Sequence, residues 1–298
     1  MTKRHISVII PTIEEESVFN LIKQIKLLLG HDIEIIIVDK SSDAYYSKLV
    51  KTGATVLRQR TKGVEKAIMM GLRAAHGDIL ASIDADGTHD PSGLAEGVKL
   101  VESGKADLVL GNRFAHLEKG SMGPYLKFGN DIISGLFSTL YGTKVHDVLT
   151  GLFVMSKGAF DEIRNVEPYR AGIAFFAIEL ARKGYVIREV GIKYYERKYG
   201  ESKLTRSKTA YGINVASHIV RQLRDYSPFL IFGLPGVIIL ILGALLGILV
   251  LANFVDTGVF SFSGRALLAF MLVVLGFLLV VVGLIIDLLL EIERRVGR

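Results

Sequence analysis

The sequence predicts an α/β fold, a mostly parallel sheet with flanking helices, followed by a two-helix transmembrane hairpin. Three observations lead there. Short apolar runs alternate with longer amphipathic ones over residues 1 to about 115, the pattern of βα units. The turn Ile83-Asp84-Ala85-Asp86-Gly87 follows one of the apolar runs, at the strand end where open parallel sheets place their ligand crevice. Near the C-terminus, Phe229–Ala252 and Ala266–Ile286 contain no charged residue, and each is long enough to cross a hydrocarbon core ~30 Å thick as a helix.

Ile6-Ser7-Val8-Ile9-Ile10 reads as a first strand that stops at Pro11, and a helix through Leu21, Ile25 and Leu28 ends near Gly30. Ile33 to Val38 is a second strand, nearly all apolar, as expected where helices cover both faces. Thr55-Val56-Leu57 is a short third. Lys62-Gly63 opens a helix reaching about His76, Ile79 to Ile83 is a fourth strand, and Leu108-Val109-Leu110 a fifth. Helices are expected over 127–141 and 173–182, and strands near Leu152–Met155 and Val186–Tyr194. Tyr211, Val215, Ile219 and Leu223 recur at helical spacing within 205–227, which suits an amphipathic helix on a membrane surface or against the domain. The expected division is a domain over 1–204, this juxtamembrane helix over 205–227, and the spans within 228–290 (about 229–252 and 266–288). A basic tail over 291–298 completes the chain.

Charge orients the hairpin. Lys203, Arg206, Lys208, Arg221 and Arg224 precede the first span, and Arg294, Arg295 and Arg298 follow the second, while Asn253 to Arg265 holds a single Arg. The positive-inside rule then places both ends in the cytoplasm, with the protein in the cell membrane. Residues 1–30 lack the apolar core of a secretory signal. The net charge of +6 suits an anionic bilayer or phosphorylated substrates. No nucleic-acid motif accompanies that charge, so nucleic acid is not an expected partner. The absence of cysteine rules out disulfides and thiolate catalysis. Gly243 and Gly247, four residues apart, permit close helix contact and leave homo-oligomerisation open.

Chemistry gathers at the strand ends. Pro11-Thr12-Ile13-Glu14-Glu15 follows the first strand and Asp39-Lys40-Ser41-Ser42-Asp43 the second. Asp84-Ala85-Asp86-Gly87-Thr88-His89-Asp90-Pro91 follows the fourth. Then come Gly111-Asn112-Arg113, His146-Asp147-Val148-Leu149-Thr150-Gly151 and Gly200-Glu201-Ser202-Lys203-Leu204. Two carboxylates separated by one small residue can approach one hard cation, which takes one or two carboxylates plus phosphate oxygens. Taken alone, Asp-x-Asp is more readily an acidic turn that caps the helix beginning near Pro91.

In this order and spacing the set resembles the family 2 glycosyltransferases of GT-A fold, within the dolichol-phosphate mannose synthase and polyprenyl-phosphate glycosyltransferase branch. The resemblance covers roughly residues 5–205. It implies a cytoplasmic catalytic domain that takes a nucleotide sugar and passes a hexose to a dolichyl or polyprenyl phosphate at the membrane. By resemblance, Pro11, Thr12, Glu14, Asp39, Lys62, Asp84, Ala85, Asp86 and Glu179 line the nucleotide-sugar site. Asp84 and Asp86 hold Mg²⁺ or Mn²⁺. Arg113, Lys127, Asp147, Arg197, Ser202 and Lys203 surround the acceptor phosphate, and Asp86, Arg113 and Lys203 are the residues expected to matter most for catalysis. Gly151 also matches a family position. His76, His89 and His146 border the region, and none is assigned as a metal ligand.

The mechanism implied is an inverting in-line displacement in which the lipid phosphate attacks opposite the nucleotide. A phosphate monoester, with a second pKa of ~6, is already anionic, so no dedicated general base is expected. The chain departs from the family at Ile13-Glu14 (usually Tyr-Asn), Lys40 (Asp), Thr88 (Gln), Lys127 (Arg) and Gly191 (Pro). These changes leave GDP-mannose, UDP-glucose and UDP-N-acetylglucosamine all open as donors. Two other readings stand beside this one: a membrane glycosyltransferase with a non-phosphate lipid acceptor, and a non-catalytic nucleotide-sugar-binding scaffold.

Overall fold

The structure, a computed structural model, describes residues 5–118, 121–168, 173–197, 232–258 and 264–296. The chain divides into two compact units, 1–216 and 217–298. The first is built on strands β1 (Ile6–Thr12), β2 (Ile33–Asp39), β3 (Thr55–Arg58), β4 (Ile79–Ile83), β5 (Leu108–Leu117), β6 (Leu152–Ser156) and β7 (Ile187–Tyr194). They form one sheet in the order β3-β2-β1-β4-β6-β5-β7. Pairings β1–β2, β1–β4, β2–β3 and β5–β7 are parallel, whereas β6 runs antiparallel to both β4 and β5. A mostly parallel sheet is therefore what forms.

Side chains alternate across a strand, so an all-apolar strand is one covered on both faces. Helices α1 (Ser17–Leu29), α2 (Asp43–Val50), α3 (Val64–Ala74), α4 (Ser92–Glu102), α5 (Pro124–Tyr141), α6 (Lys157–Ile163) and α7 (Ala174–Arg182) provide that cover. On one face Val8, Ile10, Ile37, Ala81 and Val154 pack with Val18, Leu21, Ile22 and Ile25 of α1 and Leu94, Val98 and Val101 of α4. Both helices bury the stripe expected of a 3.6-residue period. On the other face Phe153 of β6 stacks against Phe176 of α7, ring centroids 5.2 Å apart. Gly71 lets α3 approach there: a Cβ would lie 2.5 Å from Ile9 Cγ2. Two helices went unread in the sequence. α2 is eight residues long and buries only Tyr45 and Leu49, and α6 has seven residues, so each spans only about two turns and leaves little apolar repeat to read.

The strand order reverses at β1, whose neighbours are β2 and β4, and this is the point where such sheets open a ligand crevice. β6 adds to it. Because β6 runs backwards, its first residue, Leu152, pairs with the last residue of β4, Ile83. The segment leading into β6 therefore lands on the rim occupied by Asp84.

β5 extends seven residues past its expected end at Leu110. Its pairing with β7 jumps from Asn112↔Gly191 to His116↔Lys193, a bulge that spends Arg113, Phe114 and Ala115 opposite one residue. Bulges re-aim side chains, here Arg113. Gly191 is needed beside it, since a Cβ there would sit 2.9 Å from Ala115 Cβ.

In the second unit, α8 (Leu234–Thr257) and α9 (Gly264–Val296) are antiparallel neighbours in sequence, each with a stretch of 23 residues long and apolar enough to cross a membrane. Side chains such as Leu245, Leu249, Phe270 and Leu278 are more than half exposed, which a buried core helix would not tolerate. α8 ends at Gly258 in the left-handed conformation, past the expected Ala252. α9 continues through Val296, so Arg294 and Arg295 are helical. Gly236, Gly243 and Gly276 are spent on packing between α8 and α9: a Cβ at Gly276 would lie 2.5 Å from Leu240 N, and one at Gly243 2.8 Å from Val273 N. Gly247, by contrast, has open space around it. The 205–227 helix expected from the sequence lies outside the described residues.

Packing of α4 against β6 supplies a direct check. A Cβ on Gly97 would sit 2.7 Å from Val154 Cγ2, so Gly97→Val is expected to cost roughly 1–3 kcal/mol by overpacking. A lowered unfolding midpoint of the detergent-solubilised protein would register it, with Gly158→Val, at a site open within 4 Å, as the comparison.

Candidate active site

β4 delivers Asp84 and Asp86 onto a tight turn closed by Gly87, whose φ of 73° is one that an L side chain rarely adopts. Asp86 is mostly buried, and its Oδ1 accepts the Thr88 N–H at 3.1 Å and the Thr88 hydroxyl at 2.7 Å. Its Oδ2 lies 3.6 Å from Arg197 Nη1. Burial, and after it the Asp86 charge, push the Asp84 carboxyl well above the usual carboxylate range, against the pull of Arg113 and Arg197. A carboxylate pair that resists its second charge is the electrostatic environment a divalent cation relieves. Among the described residues no three His, Asp or Glu side chains converge as a complete metal cage. Two carboxylates are nonetheless the usual protein share when phosphates complete the shell.

Arg113 is held by Asp147 as a fork: Nε donates to Oδ2 and Nη2 to Oδ1, both at 2.7 Å, and the Arg113 backbone N–H donates to Oδ2 at 3.0 Å. Burial alone would lower the guanidinium pKa, but the Asp147 carboxylate overrides it and the net shift is upward. Arg113 is thus a permanent cation, flanked by the rings of Tyr194 and Phe114. Arg197 pairs with Glu15 as well as with Asp86.

The segment carrying Asp147 is latched from two sides. On α5, Asn130 donates to the His146 carbonyl at 2.8 Å and Ser134 accepts the Val148 N–H at 3.1 Å. Ser138 on the same face accepts the Val145 N–H and donates to its carbonyl. On β7, Glu189 Oε1 accepts the backbone N–H groups of His146 and Asp147, each at 2.8 Å. Gly151 then approaches so closely that a Cβ would lie 2.1 Å from Asp84 Oδ2 and 2.6 Å from His89 Cε1. Only glycine fits this position.

Of the residues expected on the nucleotide side, Pro11, Thr12, Glu14 and Asp39 cluster at the ends of β1 and β2. Pro11 and Thr12 end β1. Glu14 adopts φ 49°, and its N–H donates to Ser41 Oγ at 2.7 Å while its Oε1 accepts the Ser42 N–H at 3.2 Å. Asp39 is fully buried. Its carboxylate accepts from Ser41 and, at 3.0 Å, from Arg58, which also pairs with Asp43 and lies 4.3 Å from the Tyr46 ring centroid. Much of the Asp39 acceptor capacity is therefore spent within the protein. Ala85 is buried beneath the turn, Lys62 is exposed on the β3–α3 loop, and Lys127 is exposed in the first turn of α5. Glu179 is buried on α7 and pairs with Arg182 at 3.0 Å. Ser202 and Lys203 lie outside the described residues.

Several contributors were missed in the sequence. Arg58 carries one signal, a basic residue at the end of a strand. The Asn130, Ser134 and Ser138 stripe carries a clearer one, polar residues at i, i+4 and i+8 on an otherwise apolar helix face. Glu189 offered none beyond its type, and His89, read as bordering the region, was given no role.

Residues 7–164 match the family described as glycosyl transferase family 2. The chain belongs to that family. Among its relatives is the low-salt glycan biosynthesis hexosyltransferase Agl6 of Haloferax volcanii, 28% identical over 80% of this chain and 58% of that protein. The chain thus spans little more than half the length of that relative. The dolichol-phosphate mannosyltransferase of Pyrococcus furiosus is 27% identical over 78% of this chain and 70% of its own. In structure, mannosyl-3-phosphoglycerate synthase from Rubrobacter xylanophilus superposes with a TM-score of 0.58 at 21% identity, covering 74% of each chain. That likeness establishes the GT-A-type fold of this family 2 member.

The Arg113–Asp147 pair predicts an asymmetric response. Asp147→Ala strands a buried guanidinium and is expected to cost about 3–5 kcal/mol, whereas replacing both partners by apolar residues of similar size costs less. Denaturation midpoints of the single and double variants check this.

Proposed function

We propose that this family 2 member transfers a hexose from a nucleotide sugar to a dolichyl or polyprenyl phosphate, with inversion at the anomeric carbon. The observation that carries the reading is the juxtaposition of two carboxylates, Asp84 and Asp86, with two guanidinium groups, Arg113 and Arg197, on one rim of the sheet. Carboxylates suit a cation-bridged diphosphate, and guanidinium groups suit phosphate oxygens. The named activity of the Pyrococcus relative and the two apolar helices support a lipid-linked phosphate as acceptor.

Asp84 and Asp86 would hold Mg²⁺ or Mn²⁺, which when bound offsets the charge of the departing nucleoside diphosphate. The remaining work falls to the chain. Gly151 puts no side chain against the Asp84 carboxylate, and Thr88 holds Asp86 Oδ1 while Oδ2 faces Arg197. Arg113, locked by Asp147, offers Nη1 to an incoming phosphate without reorganising, the property that makes a fixed charge effective. An acceptor oxygen then forms its bond to the anomeric carbon as the bond to the nucleotide breaks. The acceptor phosphate is already ionised, so its nucleophile needs orientation more than proton removal. Lys127, Ser202 and Lys203 complete the acceptor side in this reading, and Glu179 and Lys62 the donor side. The apolar helices tether the domain to the bilayer, with the domain on the cytoplasmic face.

The test is a transfer assay with detergent-solubilised protein, a short polyprenyl phosphate, and GDP-mannose, UDP-glucose and UDP-N-acetylglucosamine, with Mn²⁺ or EDTA. Labelled β-linked lipid from one donor is expected only with metal, and Asp86→Asn is expected to lower turnover at least about a hundredfold. Product on the free polyprenol instead would move the acceptor to a lipid alcohol. No lipid product from any donor, with nucleotide still bound, would leave a scaffold.

A further inference from the structure

We propose that His89 is a positioning residue: acting through Thr88, it ties down Asp86 Oδ1 and leaves Oδ2, which faces Arg197 at 3.6 Å, as the oxygen to meet a cation. The inference rests on the metal-site reading of Asp84 and Asp86 above and adds what holds that site in shape.

The geometry has a direction. The Gly151 N–H lies 3.1 Å from His89 Nε2, and a backbone amide can only donate. Nε2 is therefore the acceptor, and a neutral ring with that tautomer carries its proton on Nδ1. Nδ1 lies 3.0 Å from Thr88 Oγ1, so it donates there. The threonine has one hydroxyl proton, and it goes to Asp86 Oδ1 at 2.7 Å. The chain of donors thus runs one way, from the Gly151 amide through the imidazole and the hydroxyl to the carboxylate. An imidazolium would set a second N–H against the Gly151 amide, so the arrangement requires the neutral ring. Burial of His89 favours the same form.

The ring has little freedom to do otherwise. His89 is 4% exposed, packs edge-on to Tyr194 at 5.2 Å, and touches the space that a Cβ on Gly151 would fill. Its backbone bridges to Tyr194 of β7. Thr88 stands where the family resemblance has Gln, and here its hydroxyl is engaged behind the carboxylate. Residues behind a ligand tune metal affinity by orienting it, and their loss typically costs 10–100-fold.

Two replacements separate the contacts of the ring. His89→Gln reaches the Nε2 position and can accept from Gly151, but it places no donor at the Nδ1 position facing Thr88. His89→Asn places its amide N–H near the Nδ1 position and keeps the donor. Mn²⁺ affinity is read by electron paramagnetic resonance titration of the full-length protein with saturating UDP or GDP, and nucleotide affinity separately in EDTA. His89→Gln and Thr88→Val are each expected to weaken Mn²⁺ binding about tenfold, with metal-free nucleotide affinity unchanged. His89→Asn and Thr88→Ser should stay within about twofold of the native protein. The double variant His89→Gln/Thr88→Val should be no weaker than either single one, because both cut the same chain. Unchanged Mn²⁺ affinity in His89→Gln and Thr88→Val, or losses that add in the double variant, would overturn the proposal. So would equal losses of metal and of metal-free nucleotide binding, the mark of a collapsed site. If His89→Gln fails to fold, Thr88→Val against Thr88→Ser decides the matter. Native protein that binds nucleotide but no Mn²⁺ would overturn the metal reading itself, and this inference with it.

Discussion

Two like charges on a half-dry turn repel each other, and much of the architecture around Asp84 and Asp86 is organised by that repulsion. Burial raises the cost of charging Asp84, and Asp86 raises it again. The fold answers with Arg113 and Arg197, one locked by Asp147 and the other shared between Glu15 and Asp86. Each countercharge needs its own support. Asp147 depends on the turn held by Glu189 and by the polar stripe of α5, and Arg113 depends on the bulge in β5. The supports reach from α5 and β7 to the first turn after β4. The site is an electrostatic frame as much as a lining.

Much of this was legible in the sequence. The parallel half of the sheet, β1 to β4 with α1 and α3, follows from apolar period and turn residues, because covered parallel strands and amphipathic helices leave those periods in the chain. The direction of β6 was not legible. Leu152 to Ser156 is equally apolar whether it runs up or down, and its orientation is decided by pairing with β4 and β5. The candidate site divides the same way. Asp84, Asp86, Arg113, Asp147 and Gly151 stand in recognisable motifs, and the structure brings them together on one rim. Arg58 and Glu189 act through partners well separated in sequence, and His89 joins its neighbour Thr88 to the distant Gly151, which no local pattern records. Thr88 was legible only as a departure; its role behind Asp86 needed the positions of His89 and Gly151.

The loops that follow β1, β2 and β3 show a different economy. Glu14 and Ser41 tie the β1–α1 loop to the β2–α2 loop, and Arg58 gathers Asp39, Asp43 and the Ser41 carbonyl. Two of the family departures, Ile13-Glu14 and Lys40, fall in this knot, and Lys40 reaches the Thr61 carbonyl at 2.8 Å. The substitutions are thus woven into a connected set of loop contacts. A change at any one of them would have to be accommodated by several residues together.

The backward strand has a topological corollary. Between leaving the sheet at the end of β5 and re-entering it at β6, the chain makes an excursion of some thirty residues whose two anchors are neighbouring strands. The pairing of β1 with β2 and β4 involves no residue of this detour. The detour is moored to the rim at its exit, where Asp147 grips Arg113 and Gly151 closes on Asp84, so it is a loop with one end knotted into the site.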